Sequence, residues 1–417
     1  MTADAPRSPA SATASADVVI LGGGLVGTTL ALALDAHGLS AVVVDPADPA
    51  VTLAPGFDGR ASAIASASGR MLEAIGLGAR IVDQGCPIER IRVSDGLKPG
   101  ALDFVPDAED GSLGVMHENR ALRRALFAAA TEAAGIDLRM QTRATAVIRN
   151  AAGVTASLSD GTTVRAPLLI AAEGRNSPTR EAAGIRVARW SYDHEAIVGA
   201  FHHERPHDNV AYEIFYPAGP FALLPLPDDE IGHRSAIVWS VKAEHGPGLV
   251  KLSDRAFLAE AEKRMGGFLG ALSAASPRAS YPLGFHHAAR ITGERLALVG
   301  DAAHGIHPIA GQGLNLGLRD VATLAEVLVE GRRLGLDLGD AQLLARYERW
   351  RGVDTTLVAG TTDVLTRLFG IPGRTASAVR RFGISAVDAI GPLKERFMAE
   401  ARGESGTLPR LLQGLAI

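Results

Sequence analysis

The sequence predicts an α/β fold, α+β overall, in which a parallel-sheet domain carries an inserted antiparallel-sheet domain and is followed by a helical C-terminal region. Short apolar runs alternate with helical stretches in the first part of the chain, and the texture turns to period-two alternation near Trp190. Glycine reaches 47 residues while aromatics make up only 5%, which favours tight turns and close helix-to-strand packing over an all-β sandwich. At 417 residues, 47% of them hydrophobic, the chain suits two or three cores rather than one.

Taken in order, residues 1–16 are rich in Ala, Ser and Pro, lack the basic start and apolar run of a secretory signal, and read as a flexible tail. Asp17 to Leu21 is a buried-strand pattern running into glycines, Val26 to His37 is helix-forming, and Ser40 to Asp45 is a second strand. Ala61 to Leu77 and Arg120 to Ala134 read as helices, the latter with Leu122, Leu126, Ala129 and Ala130 on one face. Pro167 to Ala172 is a further central strand. Ala196 to His202, Val210 to Tyr216 and Ser235 to Val241 alternate as an antiparallel sheet does, and most Trp and Tyr residues fall in or beside them. Arg295 to Gly300 returns as a strand to the first domain, Leu314 to Glu330 is helical, and the chain is mostly helical after Asp340. The expected first domain therefore spans 17–85, 115–187 and 285–345, the sheet domain 86–114 and 188–284, and the helical region 346–417.

A formal charge of -4 offers phosphates no general attraction, so nucleic acid is excluded as a partner. The single cysteine, Cys86, reads as a small buried side chain, and the simplest compartment is reducing and cytoplasmic. No stretch approaches the ~20 apolar residues of a membrane span, so contact with a membrane is expected only from its surface.

Gly22-Gly23-Gly24-Leu25-Val26-Gly27 has the G-x-G-x-x-G spacing between a strand and a helix. Gly22 permits the turn, Gly24 lets the backbone approach a pyrophosphate, and Gly27 lets the helix pack on the strand, with the helix N-terminus facing the phosphate charge. Asp45 closes the next strand where a ribose-binding acid belongs, and its carboxylate repels a 2'-phosphate, which favours FAD or NAD over NADP. This is a Rossmann-like arrangement. The turn by itself leaves FAD and NAD open.

Gly300 to Gly317, GDAAHGIHPIAGQGLNLG, lies between a strand and a helix. Asp301 has the chemistry to accept hydrogen bonds from a polyol, and the glycines let backbone amides and a helix N-terminus meet the edge of a reduced, anionic ring. The segment resembles the GD motif of flavoprotein aromatic hydroxylases, most closely the ubiquinone-biosynthesis hydroxylase family. Asp58-Gly59-Arg60, Asn119-Arg120, Gly219-Pro220, Leu223 to Pro227, Tyr347 to Arg351, Thr362 to Phe369 and Gly391-Pro392-Leu393-Lys394 extend the likeness over nearly the whole chain after residue 16. The resemblance implies that Asp301 binds the FAD ribityl chain, that Gly311, Gly313, Leu314 and Asn315 frame the isoalloxazine ring, and that Arg60 and Arg120 contact FAD. Pro308 would border the oxygen-reacting face. Glu173-Gly174-Arg175 stands where the family has Asp-Gly, the motif linked to FAD and NAD(P)H, so the acid is kept but lengthened.

His304 and His307 are three apart, but no clustered Cys, Asp or Glu completes a ligand set, so no metal is expected; loop hydrogen bonding or proton handling are the readings left to them. The pairs His202-His203 and His286-His287 alternate across strands, which argues against a joint site. The implied activity is hydroxylation of a polyprenylated phenol in ubiquinone biosynthesis through a flavin hydroperoxide. It would use FAD, NAD(P)H or another transient electron donor, and dioxygen, in a site that excludes water. A second G-x-G-x-x-G is missing, so NAD(P)H is expected to visit rather than stay. Fold-sharing alternatives are a halogenase, for which the Trp-x-Trp-x-Ile-Pro segment is lacking, a prenyl reductase, and a non-catalytic FAD-holding scaffold of a biosynthetic complex. Phe382, Ile384, Val387, Ile390 and Phe397, with Arg380 and Arg381, suggest peripheral contact with the inner membrane or an assembly. A homodimer is also compatible.

Overall fold

A computed structural model describes residues 13–107, 111–305, 312–352 and 391–417. A six-stranded sheet runs in the order Thr292–Gly293, Leu296–Leu298, Leu168–Ala171, Val18–Leu21, Ala41–Asp45, Ile136–Met140. All neighbours are parallel except the first, short edge pair. Numbered along the chain, its five parallel strands stand 5-4-1-2-3, the doubly wound order in which ligands bind beyond the strand ends where the order reverses. That reversal lies between Val18–Leu21 and Leu168–Ala171. Both strands are buried on both faces, which explains their unbroken apolar runs. The helix Leu25–Asp35 leaves the first strand and packs against the long helix Gln312–Arg333, whose apolar residues join the same core.

The second layer is a nine-stranded sheet containing Val187–His203, His233–Lys242, Gly219–Leu226, Val210–Tyr216 and Arg90–Asp95 as consecutive neighbours. It is antiparallel except where Val210–Tyr216 runs parallel to Arg90–Asp95. One face is covered by the helix Asp254–Met265, through Phe257, Ala261 and Met265 packed on Phe201, Phe221 and Trp239. The other face is turned to the nucleotide-binding domain. At its far edge Ala279–Ala288 pairs with His304–Gly305, so the loop following Asp301 is stitched into this second sheet.

Two expectations need correction. Residues 61–65 are a strand, Ala61–Ala65, paired antiparallel with Gly114–Glu118, and the helix is confined to Ser66–Ala74. Small residues with good helix propensity yield here to a ladder supplied from elsewhere in the chain. The tail is also shorter than residues 1–16, because Thr13–Ser15 pairs in parallel with Thr163–Ala166. Of the C-terminal region, residues 341–352 and Gly391–Ala401 are helical and Arg410–Gln413 is a 3-10 turn. Residues 353–390, with Thr362 to Phe369 and the apolar and basic set from Arg380 to Ile390, lie outside the described residues.

Candidate active site

The glycine turn is built as its spacing requires. A Cβ at Gly22, where φ is 106°, would strike the Ala172 carbonyl, and one at Gly27 would overlap the Gly22 carbonyl oxygen. A Cβ at Gly24 would meet nothing within 4 Å, so the ground in front of this N-cap is open. Leu25 and Val26 begin the helix, with no side chain capping it. The resulting cradle of free N–H groups at a helix N-terminus fits a pyrophosphate. Asp45 bounds it from the next strand, accepting the Gly23 N–H at 2.6 Å and the Ala47 N–H at 2.7 Å.

The Asp301 loop meets this turn directly. Gly300, in the left-handed region at φ 59°, and Gly317 leave room for the Val26 side chain between loop and long helix. Three buried side chains fix the loop. Asp320 accepts the Gly300 N–H at 2.8 Å, lies 2.7 Å from His304 Nε2 and accepts Arg351 Nε at 2.6 Å. Burial alone would raise the Asp320 carboxyl, but His304 and Arg351 together hold it below the usual carboxylate range. Arg180 donates to Ala302 O at 2.8 Å and to Arg175 O at 2.9 Å, and His286 Nε2 lies 2.7 Å from Asp301 O.

Asn315 is buried with its amide turned to the strand Ala61–Ala65, accepting from Ala65 N at 2.9 Å and donating to Ala63 O at 3.0 Å. Its side chain therefore joins the long helix to the Arg60 segment, and only its backbone is left to face a ring. Leu314 packs against the main core, while Gly313 has open space around it. Arg120 donates to Pro55 O at 3.0 Å.

Between the two layers lies a cavity of about 500 Å³. Its nucleotide side is formed by Gly59, Arg60, Asn119, Arg175 and Asp301. Its sheet side is formed by Ala196, Val198, Pro220, Ala222, Leu224, Ala236 and Val238, with Tyr281 to Gly284 at one end. Such an apolar chamber with few polar groups is the usual form of a small-molecule site.

The structure thus brings the turn residues, Asp45, Arg60 and Asp301 to one region and sets others apart. Glu173 is not in the cavity; it accepts from Ser177 Oγ at 2.6 Å and Thr179 N at 3.1 Å, at the start of the short helix Pro178–Ala182. His304, expected as a loop or proton-handling residue, is buried against Asp320 and does not line the cavity. His307, Pro308 and Gly311 lie outside the described residues. Cys86 is buried, and burial pushes its thiol up to about 11. Among the described residues no group of three or more His, Cys, Asp or Glu is placed to hold a metal.

One cavity residue was not foreseen. Glu213 lies on the sheet wall, buried, with no hydrogen-bond or ion-pair partner among the described residues, and burial pushes its carboxyl up to about 7. The signal was present: in VAYEIFY it is the lone charge, flanked at two-residue spacing by Ala211 and Phe215, both apolar.

Comparison with known proteins matches an FAD binding domain model over residues 15–355. The chain is 48% identical to ubiquinone hydroxylase UbiL of Rhodospirillum rubrum over 98% of its own length and 95% of that protein's. It is 32% identical to the 3-demethoxyubiquinol 3-hydroxylase of Escherichia coli, covering 93% and 98%. Among solved structures, p-nitrophenol 4-monooxygenase PnpA of Pseudomonas putida superposes with a TM-score of 0.78 at 19% identity, over 95% of this chain and 99% of that one, a likeness of fold.

Proposed function

Since this chain belongs to the FAD binding domain family and to its ubiquinone-hydroxylase branch, we propose that it hydroxylates the aromatic ring of a polyprenylated phenol. It is an FAD-dependent monooxygenase of ubiquinone biosynthesis, with NAD(P)H as reductant and dioxygen as cosubstrate. The observation that carries the choice of substrate is the cavity of about 500 Å³, largely apolar on its sheet side apart from Glu213 and Ser240, and bounded on the other by Arg60, Asn119 and Asp301.

The residues present fit FAD. The turn from Gly22 to Gly27 would hold the pyrophosphate, Asp45 a ribose, and Asp301 the polyol at the cavity's edge. Bound FAD, once reduced, supplies the activation of dioxygen. The chain's part is to hold the arene against that cofactor and exclude water. Ala196, Val198, Ala222, Leu224, Ala236 and Val238 provide a dry wall on which a phenyl ring and its first prenyl unit can lie.

A substrate with a long prenyl chain resides in a bilayer, so we place the enzyme peripherally at the inner-membrane surface. Among the described residues no helix is long and apolar enough to cross a membrane. The test supplies FAD-loaded enzyme with NADH, labelled dioxygen and a series of prenylated phenols. Labelled oxygen should enter the ring of one of them. Steady NADH consumption yielding hydrogen peroxide, with no labelled phenol in the series, would overturn the reading.

A further inference from the structure

Glu213 stands in the strand Val210–Tyr216, aligned with Val93 of one neighbouring strand and Ala222 of the other. Neither neighbour can pair with a carboxylate. On the same face of the Arg90–Asp95 strand, Asp95 lies two residues along. The helix Gly391–Ala401 reaches the adjoining cluster with Phe397 and Met398, while its Lys394 acts on Asp103. The charged and titratable groups facing Glu213 across the cavity are Arg60, Arg175, Asp301 and Tyr281. Burial is nevertheless the one influence on its titration, so none of these neutralises it. A carboxyl buried in a largely apolar cavity wall without a protein partner costs stability, and a ligand that brings a donor would supply one.

We propose that Glu213 is a catalytic residue of the hydroxylation, accepting the proton of the substrate's phenolic hydroxyl and later returning it. The assignment rests on the cavity being the phenol site. The phenol O–H bond breaks, its proton passes to the carboxylate, and the electron pair stays on the phenolate. That pair carries a ring carbon onto the electrophilic oxygen derived from dioxygen; the C–O bond forms as the O–O bond breaks. The electrons of the broken bond remain on the departing oxygen. The ring proton at the new C–O carbon leaves to that oxygen, and a second proton, the one taken up from solvent in the overall reaction with NAD(P)H, completes a water molecule. Glu213 gives its proton back to the oxygen of the former phenolate, and the aromatic ring and the carboxylate are restored. The two electrons consumed come from NAD(P)H. A group that titrates near neutrality is suited to both halves of this exchange.

The experiment compares FAD-loaded wild type, Glu213→Gln and Glu213→Asp with NADH and ortho-geranylphenol in detergent, following product, hydrogen peroxide and flavin absorbance across pH. Wild-type product formation should rise with a midpoint near 7. Glu213→Gln should keep its flavin and its rate of flavin reduction but lose at least ~100-fold in product, without that pH midpoint and with oxygen diverted to peroxide. Glu213→Asp should fall between the two and keep a pH midpoint. Product formation by Glu213→Gln within about threefold of wild type, with the midpoint unchanged, would overturn the proposal. So would loss of flavin in both variants, which would make the residue structural. If wild type itself hydroxylates no phenol, the reading of the cavity fails first and the role of Glu213 falls with it.

Discussion

The carboxylate of Asp320 accepts the backbone N–H of Gly300 at 2.8 Å, so the loop that carries Asp301 hangs from the helix that follows it. The same carboxylate faces His304 and Arg351, and all three side chains are buried. Replacing Asp320 by Asn removes the carboxylate from a buried ion pair with Arg351, a loss that costs about 3–5 kcal/mol when one partner of such a pair is taken away. The Asp320→Asn protein should melt well below wild type and release FAD more readily, read by thermal denaturation and by free-flavin fluorescence. Equal melting temperature and equal flavin retention would show that the network does not hold the loop.

Gly24 and Gly27 separate cofactor contact from folding. A Cβ at Gly27 overlaps the Gly22 carbonyl, whereas one at Gly24 meets only open space. Gly27→Ala should therefore lower the melting temperature of the flavin-free protein and abolish FAD binding. Gly24→Ala should leave the flavin-free melting temperature unchanged and still weaken FAD binding by tenfold or more, about 1.4 kcal/mol. Unimpaired FAD affinity in Gly24→Ala, measured by titration, would mean that the pyrophosphate does not approach there.

The parts of this site that were legible in the sequence are those whose geometry is local. Gly22 to Gly27 and Asp45 belong to one β-turn-α-β unit, so their spacing fixes their placement. The central strands announce themselves because burial on both faces leaves no polar alternation. What escaped was set by partners distant in sequence. Ala61–Ala65 is a strand only because Gly114–Glu118 lies beside it. Asn315 is 250 residues from Ala65, whose N–H it accepts, so no local pattern reveals that its amide serves a strand. Glu213 sits in an alternating segment where an acid reads as solvent-facing; here the helix Asp254–Met265 covers one face and the cavity wall takes the other.

Asn315 clamps the Arg60 strand to the helix behind the flavin loop through one donated and one accepted hydrogen bond. Asn315→Ala strands two backbone groups, Ala65 N–H and Ala63 C=O, at about 1–3 kcal/mol each when buried without a partner. The variant should be less stable and, with Arg60 no longer held, should couple NADH oxidation to product less tightly. A ratio of peroxide to product equal to that of wild type would argue that the clamp is purely structural.

Glu213 also makes a thermodynamic prediction independent of turnover. Its folded carboxyl is raised from the ordinary 4.5 to about 7, so between those values the folded state binds more protons than the unfolded one. Stability must then fall as pH rises from about 4.5 to about 7 and level off above, by up to about 3 kcal/mol from this group alone. Glu213→Gln removes the titration, and at pH about 8 it should be more stable than wild type, because it replaces a buried, unpaired charge by a neutral amide. Denaturant titrations of both proteins across this range measure the difference. If the two curves run parallel, the carboxyl does not titrate near neutrality; if they diverge as stated, the folded chain gives up stability at a cavity position where a phenol's proton can be received.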